Sequence, residues 1–329
     1  METILNKVVV SGASGLVGSY VVRALIRQGH EGIVALRRKG SSRRLSATFE
    51  SKVQWKEGDI EDPVFLDEVL QGAGYFIHAA GVVSFDPAHK EEMMRINVGG
   101  TAAVVNASLR AGVRKLVHVS SVAALGRPPG VEVLDEQVEW TESPNNTPYA
   151  LSKHLAELEI LRGVAEGLQA SMILPGTVLG VGDWTRGSVR LLDVVAKGLP
   201  FYPSGMNGFV DVRDVADLCV LMMRHPDNGG RWIACSESIS YRQLLTDIAD
   251  EMGVRPPRRV APRWLAYAYI AWDTLCSKIS GKPRFLTKDS YRVGQSKFRY
   301  SNDKVRTQLD YTFIPLRQTI SEAVAAYRM

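Results

Sequence analysis

A tyrosine followed four residues later by a lysine occurs twice in this chain, as Tyr149 with Lys153 and as Tyr300 with Lys304. Residues four apart share one face of a helix, so either lysine can approach its tyrosine. A phenol with a pKa near 10 is a poor proton donor or acceptor at neutral pH, and a nearby ammonium favours the phenolate and draws the pKa down. Such a pair suits proton transfer at an oxygen. Context separates the two. Tyr149 follows an apolar run ending Val119-Ser120-Ser121, and the carboxyl end of such a strand borders the ligand crevice of an open α/β sheet. Tyr300 lies near the end of the chain and reads as the start of a surface helix.

Gly12, Gly15 and Gly18, with Ser14 and Leu16 between them, follow the apolar run Val8-Val9-Val10. In that context the first glycine allows a tight turn, the second lets backbone approach a pyrophosphate, and the third lets helix pack on strand. The helix N-terminus then offers free amides to an anion. About 20 residues further on, an NAD site carries an acid for the ribose hydroxyls. Here the second strand ends Leu36-Arg37-Arg38-Lys39, with Arg43 and Arg44 following. Guanidinium groups there would bind the 2′-phosphate that an acid would repel, so NADP(H) is expected.

These residues need a scaffold. Short β-branched runs (7–10, 33–36, 53–55, 75–78, 115–119, 171–174) alternate with helical patterns at 16–28, 97–111 and 149–161, the signature of βαβ units. The expected fold is α/β, a Rossmann doubly wound parallel sheet with a smaller, mostly helical C-terminal lobe. Residues 1–175 should form the dinucleotide-binding domain, with 207–235 returning to it. Residues 176–206 and 236–329 should form the substrate lobe.

With the glycine motif, the serine pair and Tyr149/Lys153 considered together, the chain resembles the short-chain dehydrogenase/reductase superfamily in its extended branch, the epimerase/dehydratase group. Further motifs carry the resemblance: Gly58-Asp59-Ile60, His78-Ala79-Ala80-Gly81, Asn97-Val98 before Gly100-Thr101, and Pro175-Gly176-Thr177-Val178-Leu179-Gly180. It implies that Asp59 and Ile60 meet the adenine, Ala79, Ala80 and Gly81 the nicotinamide-side ribose, and Pro175, Gly176, Thr177 and Val178 the nicotinamide. It also implies that Ser121 completes a triad with Tyr149 and Lys153, Ser120 being the alternative. Lys153 is expected on the nicotinamide ribose as well. Asn97 supports a water relay behind the lysine in such proteins, or caps a helix. His118 and His154 are read as packing residues.

Within that branch the chain looks like dihydroflavonol reductases and 3β-hydroxysteroid dehydrogenases, which implies NADPH-dependent reduction of a carbonyl. Nucleotide-sugar epimerases and dehydratases with tightly held NAD are the alternative, and a non-catalytic cofactor sensor a third. Arg37 favours the first, as does Thr177, where sugar-nucleotide enzymes commonly carry Asn. Val83, Ser84, Phe85, Leu125 and Phe209 suggest an apolar substrate wall. Arg186 could hold an anionic group or face solvent.

The chain of 329 residues, 45% hydrophobic and 23% charged, has ordinary globular composition. Its net charge of +5 is not interleaved with aromatics, so nucleic acid is not expected. The three cysteines lack CxxC spacing and the six histidines lack ligand pairing, so neither disulfides nor a metal is expected. The N-terminus carries no signal-like pattern, and a cytoplasmic monomer or homodimer acting on a small carbonyl compound is expected. The apolar stretch from Trp264 to Trp272 is too short to span a bilayer and reads as a lid or core helix.

Overall fold

The computed structural model describes residues 7–41, 47–128, 130–143, 146–280, 284 and 286–329. Arg43 and Arg44 lie outside the described residues. In chain order the first elements are β1 (Val8–Ser11), α1 (Leu16–Arg27), β2 (Ile33–Arg37), α2 (Ala47–Glu50), β3 (Val53–Glu57), α3 (Pro63–Leu70) and β4 (Tyr75–His78). They continue with α4 (Lys90–Met93), a π-helical turn (Met94–Gly99), α5 (Gly100–Ala111), β5 (Lys115–Val119), β6 (Val133–Leu134), α6 (Pro148–Ala165) and β7 (Ala170–Pro175).

The second half contains β8 (Thr177–Leu179), α7 (Arg190–Ala196), β9 (Phe201–Tyr202), β10 (Met206–Asp211), α8 (Val212–Met222), β11 (Arg231–Ala234), β12 (Glu237–Ser240) and α9 (Tyr241–Met252). It ends with β13 (Arg259–Val260), α10 (Arg263–Ser280), α11 (Lys288–Gln295), β14 (Arg299–Tyr300), α12 (Asp303–Gln308) and α13 (Leu316–Tyr327).

Seven parallel strands form the main sheet in the order β11-β7-β5-β4-β1-β2-β3. Strand order reverses between β1 and β4, and ligands in such sheets bind beyond the carboxyl ends at that switch point. The central strands are buried on both faces, as parallel strands covered by helices must be. Val9, Val34, Phe76 and Leu116 belong to one core, while Val8, Val10, Ile77 and Val117 on the other face belong to a second. A third core, centred on Leu192, Phe209, Leu245, Ile248 and Ile320, lies in the C-terminal lobe.

Residues 207–235 divide between two sheets. β11 joins the main sheet and α8 packs in the core with α1, but β10 pairs with β8 and β12 in a separate three-stranded sheet. Tyr300 departs from expectation. It is a buried strand residue in β14, paired with β6, and not a surface helix start. The segment turns helical only at Asp303, and Lys304 donates to the Arg231 carbonyl at 2.6 Å, so the second Tyr/Lys pair never shares a helical face. Helix α10 is buried only along Ala266 and Ile270, and its tryptophans are exposed.

Candidate active site

Helix α6 carries Tyr149 and Lys153, and its start is strongly defined. Thr147 caps it, accepting from the Ala150 amide at 3.1 Å, and Pro148 occupies the first turn. Its buried face runs Tyr149, Ser152, Lys153, Ala156, Glu157, Ile160, so helical spacing turns polar groups toward the end of β5. At the other side stands Ser121, whose oxygen caps the short 3₁₀ turn Val122–Ala124 by accepting from the Ala123 amide at 3.1 Å, and which draws the Tyr149 phenol pKa down. Ser120 points elsewhere and donates to Glu157. Ser120 is thereby engaged, while the Ser121 oxygen accepts only from the Ala123 amide among the hydrogen bonds of the described residues.

Lys153 is buried and donates from Nζ to the Val119 carbonyl at 2.8 Å. Burial pulls its pKa from 10.5 to about 8, with the Glu157 carboxylate acting against the fall. Tyr149 departs from the expected direction. Burial pushes its phenol up, and the side chain that draws it down is Ser121. The ammonium expected to do so is engaged with Val119 O.

Asn97 is not a helix cap. It sits inside the π-helical turn Met94–Gly99, a widening that often marks functional sites. Its amide accepts from Val82 N at 2.7 Å and donates to Val82 O at 2.9 Å and to Ser152 Oγ at 3.0 Å. That clamp fixes the loop after β4, where a Cβ on Gly81 would lie 3.2 Å from Asn97 Oδ1 and 3.7 Å from Lys153 Nζ. Pro175, Gly176, Thr177 and Val178 continue from β7 into β8, and the Thr177 hydroxyl accepts from Asn207 Nδ2 at 3.0 Å.

The glycine loop fits a dinucleotide pyrophosphate. Gly12 has φ +67°, and a Cβ there would sit 2.6 Å from Ala79 O; at Gly18 it would sit 2.2 Å from Gly12 O. α1 begins after Gly15 without a side-chain cap or an acid in its first turn, so amides around Ser14 and Leu16 remain for an anion. Gly12→Ala is expected to destabilise the fold by about 2–4 kcal/mol through φ strain and the clash with Ala79. Denaturant unfolding checks this, and an unchanged midpoint would refute it.

At the end of β2, Arg37 pairs with Glu57 at 2.7 Å and donates to Ser41 O at 2.5 Å. Arg38 is exposed. Asp59 is exposed and accepts from the Glu61 amide at 3.0 Å, while Ile60 is buried against Gly100. Phe85 meets Tyr149 edge-on at 6.1 Å, Ser84 bonds the His89 ring at 2.9 Å, and Val83 is exposed. Two expected wall residues, and Arg186, lie elsewhere. Leu125 is fully buried in the main core, and Phe209 is fully buried in the lobe core against Tyr241. Arg186 is 80% exposed, with Asp183 at 3.7 Å, so it is a solvent-facing side chain.

His118 is buried beside His78, and burial holds both rings neutral, His78 at about 3. His154 stacks on Trp140 at 4.4 Å. Two residues escaped the sequence reading. Glu157, fully buried, pairs with Arg231 at 2.9 Å. Its spacing of four from Lys153 was a visible signal. Glu57 was not recognisable, because its proximity to Arg37 follows from strand register.

Comparison with known proteins agrees with this architecture. A family model described as "NAD dependent epimerase/dehydratase family" matches residues 8–234. The chain is 28% identical to "Sterol demethylase protein B" of Methylococcus capsulatus over 97% of both chains. It is 26% identical to "Putative dihydroflavonol 4-reductase" of Synechocystis sp., over 96% of this chain and 92% of that one. The solved structure of gox2253 superposes with a TM-score of 0.82 at 30% identity, over 98% of each. With its Rossmann sheet, glycine loop and Ser-Tyr-Lys cluster, this chain belongs to the NAD dependent epimerase/dehydratase family, enzymes of the extended short-chain dehydrogenase/reductase type that use a nicotinamide dinucleotide.

Proposed function

We propose that the protein reduces a hydrophobic aldehyde or ketone to an alcohol with NADPH. The observation that carries this is the pair Tyr149 and Lys153 on the buried face of α6 at the carboxyl end of β5, with the Lys153 ammonium on Val119 O and beside Asn97 and Gly81. The nicotinamide, when bound, supplies hydride to the carbonyl carbon. Tyr149 donates its proton to the carbonyl oxygen, and Ser121 hydrogen-bonds that oxygen and holds the phenol in line. Lys153, fixed by Val119 O, would hold the ribose side of the cofactor and return a proton to Tyr149, and Asn97, committed to Val82 and Ser152, would position the loop beside it. Phe85 against Tyr149 gives the reacting oxygen an apolar neighbour and supports a hydrophobic substrate.

The choice of NADPH rests on Arg37, which stands where an NAD site would carry an acid. Its pairing with Glu57 fixes the guanidinium plane at the strand end and leaves further N–H donors for a phosphate. Arg37→Ala should raise the KM for NADPH by about tenfold to a hundredfold while that for NADH barely moves. Equal changes for both cofactors would remove the assignment.

The Glu57 carboxylate at the same place favours a second reading, an epimerase or dehydratase with resident NAD acting on a nucleotide sugar. Identifying the dinucleotide that copurifies, and following NADPH loss against aldehydes, ketones, flavonoids and steroids, separates the two. Net NADPH consumption supports the reductase. Retained NAD with interconversion of a nucleotide sugar supports the other.

A further inference from the structure

Helix α10 turns an apolar stripe outward. Ala266 and Ile270 are buried against the protein, and Asp273 on that side accepts from the Leu286 amide at 3.0 Å. On the opposite side Trp264, Ala268, Trp272, Leu275 and Ile279 follow one another at helical spacing. Trp264 is 73% exposed, Trp272 58% and Ile279 80%. Large apolar side chains gathered on one exposed face mark an interaction surface, whereas scattered ones do not.

Charge identifies the occupant. Arg255, Arg258, Arg259 and Arg263 lead into the helix and Lys278 stands near its end. All five are exposed, none has an ion pair among the described residues, and no acid occurs from Val254 to Trp272. A second copy docked on this face about a two-fold axis would bring like charges together. An anionic lipid surface would neutralise them. Tryptophan favours the boundary between headgroup and acyl chain, where its ring is apolar and its N–H is wet.

We propose that α10 lies in the surface of an anionic phospholipid bilayer, with Trp264, Trp272, Leu275 and Ile279 in the acyl boundary and the arginines on the headgroups. No helix among the described residues is long and apolar enough to cross a membrane, so the contact is peripheral, parallel to the plane. The position has a consequence that rests on the proposed function. α10 leads into α11, whose cap residue Thr287 donates to the Phe85 carbonyl at 2.8 Å, and Phe85 touches Tyr149. A hydrophobic carbonyl compound dissolved in the bilayer would thus enter beside the helix that holds the enzyme there.

Flotation of the purified chain with phosphatidylcholine vesicles, with and without phosphatidylglycerol, tests the proposal. Binding is expected only with phosphatidylglycerol, weaker as salt rises, and weaker by more than about tenfold in Trp264→Ala/Trp272→Ala. Both side chains are exposed, so this variant should unfold at the wild-type temperature and turn over a water-soluble aldehyde normally without vesicles. Absence of vesicle binding at low salt, or binding unaffected by the double substitution, would overturn the proposal. So would a homodimer in sedimentation that the double variant converts to monomer. The reductase reading fails separately, if no carbonyl compound supports NADPH turnover whatever the vesicles show.

Discussion

Tyr149→Phe is expected to lower kcat by about 10³-fold and to leave the Kd for NADPH within about twofold of wild type. The expected size follows from what the hydroxyl does. A positioned acid contributes roughly 10²- to 10⁴-fold, and this phenol has no replacement of comparable acidity, since Ser121 is an alcohol and Ser120 is turned to Glu157. Binding should persist because the pyrophosphate loop at Gly12 and the ribose-side groups Lys153 and Asn97 are untouched. Stopped-flow single turnover and fluorescence titration with NADPH measure the two quantities. Full turnover in the variant would end the mechanism, and loss of binding would move Tyr149 from proton transfer to cofactor support.

The Tyr149/Lys153 pair of the candidate site was more legible in the sequence than its surroundings. Tyr149 and Lys153 could be chosen because periodicity identified β5 and α6, and local spacing then brought their faces together. The Ser120/Ser121 alternative could not be read from spacing alone, since adjacent residues leave a strand end in opposite directions. Leu125 and Phe209 were misplaced for a related reason. An apolar residue near a site has the same letter whether it lines the cavity or packs behind it, and both lie in cores. Asn97 was ambiguous because a cap and a π-turn can both present Asn near an expected helix start. The outward stripe of α10 was unreadable for the opposite reason. An apolar helix normally buries its apolar face, and here only the tertiary arrangement shows which side the protein covers.

The other large effect concerns Lys153, whose loss should lower activity by at least about 10²-fold while making the fold more stable. Its charge is expensive where it stands. Burial shifts the pKa from 10.5 to about 8, which corresponds to roughly 3 kcal/mol against the folded state at neutral pH. Lys153→Met removes that cost and leaves Val119 O without its donor, which returns about 1 kcal/mol or more. Glu157 keeps Arg231 and Ser120 as partners. The balance is a gain of about 1–2 kcal/mol near pH 7. The sign with pH follows from the depressed pKa. In wild type the unfolded lysine takes up its proton first as pH falls from 10.5, so stability is lost down to about pH 8 and is level below it. The methionine variant has no such step. Its advantage in thermal unfolding should therefore be largest below pH 8 and shrink toward pH 10. A variant less stable than wild type by the same amount at both ends of that range would show that Lys153 holds the fold through packing and its bond to Val119, and that its charge costs the protein little.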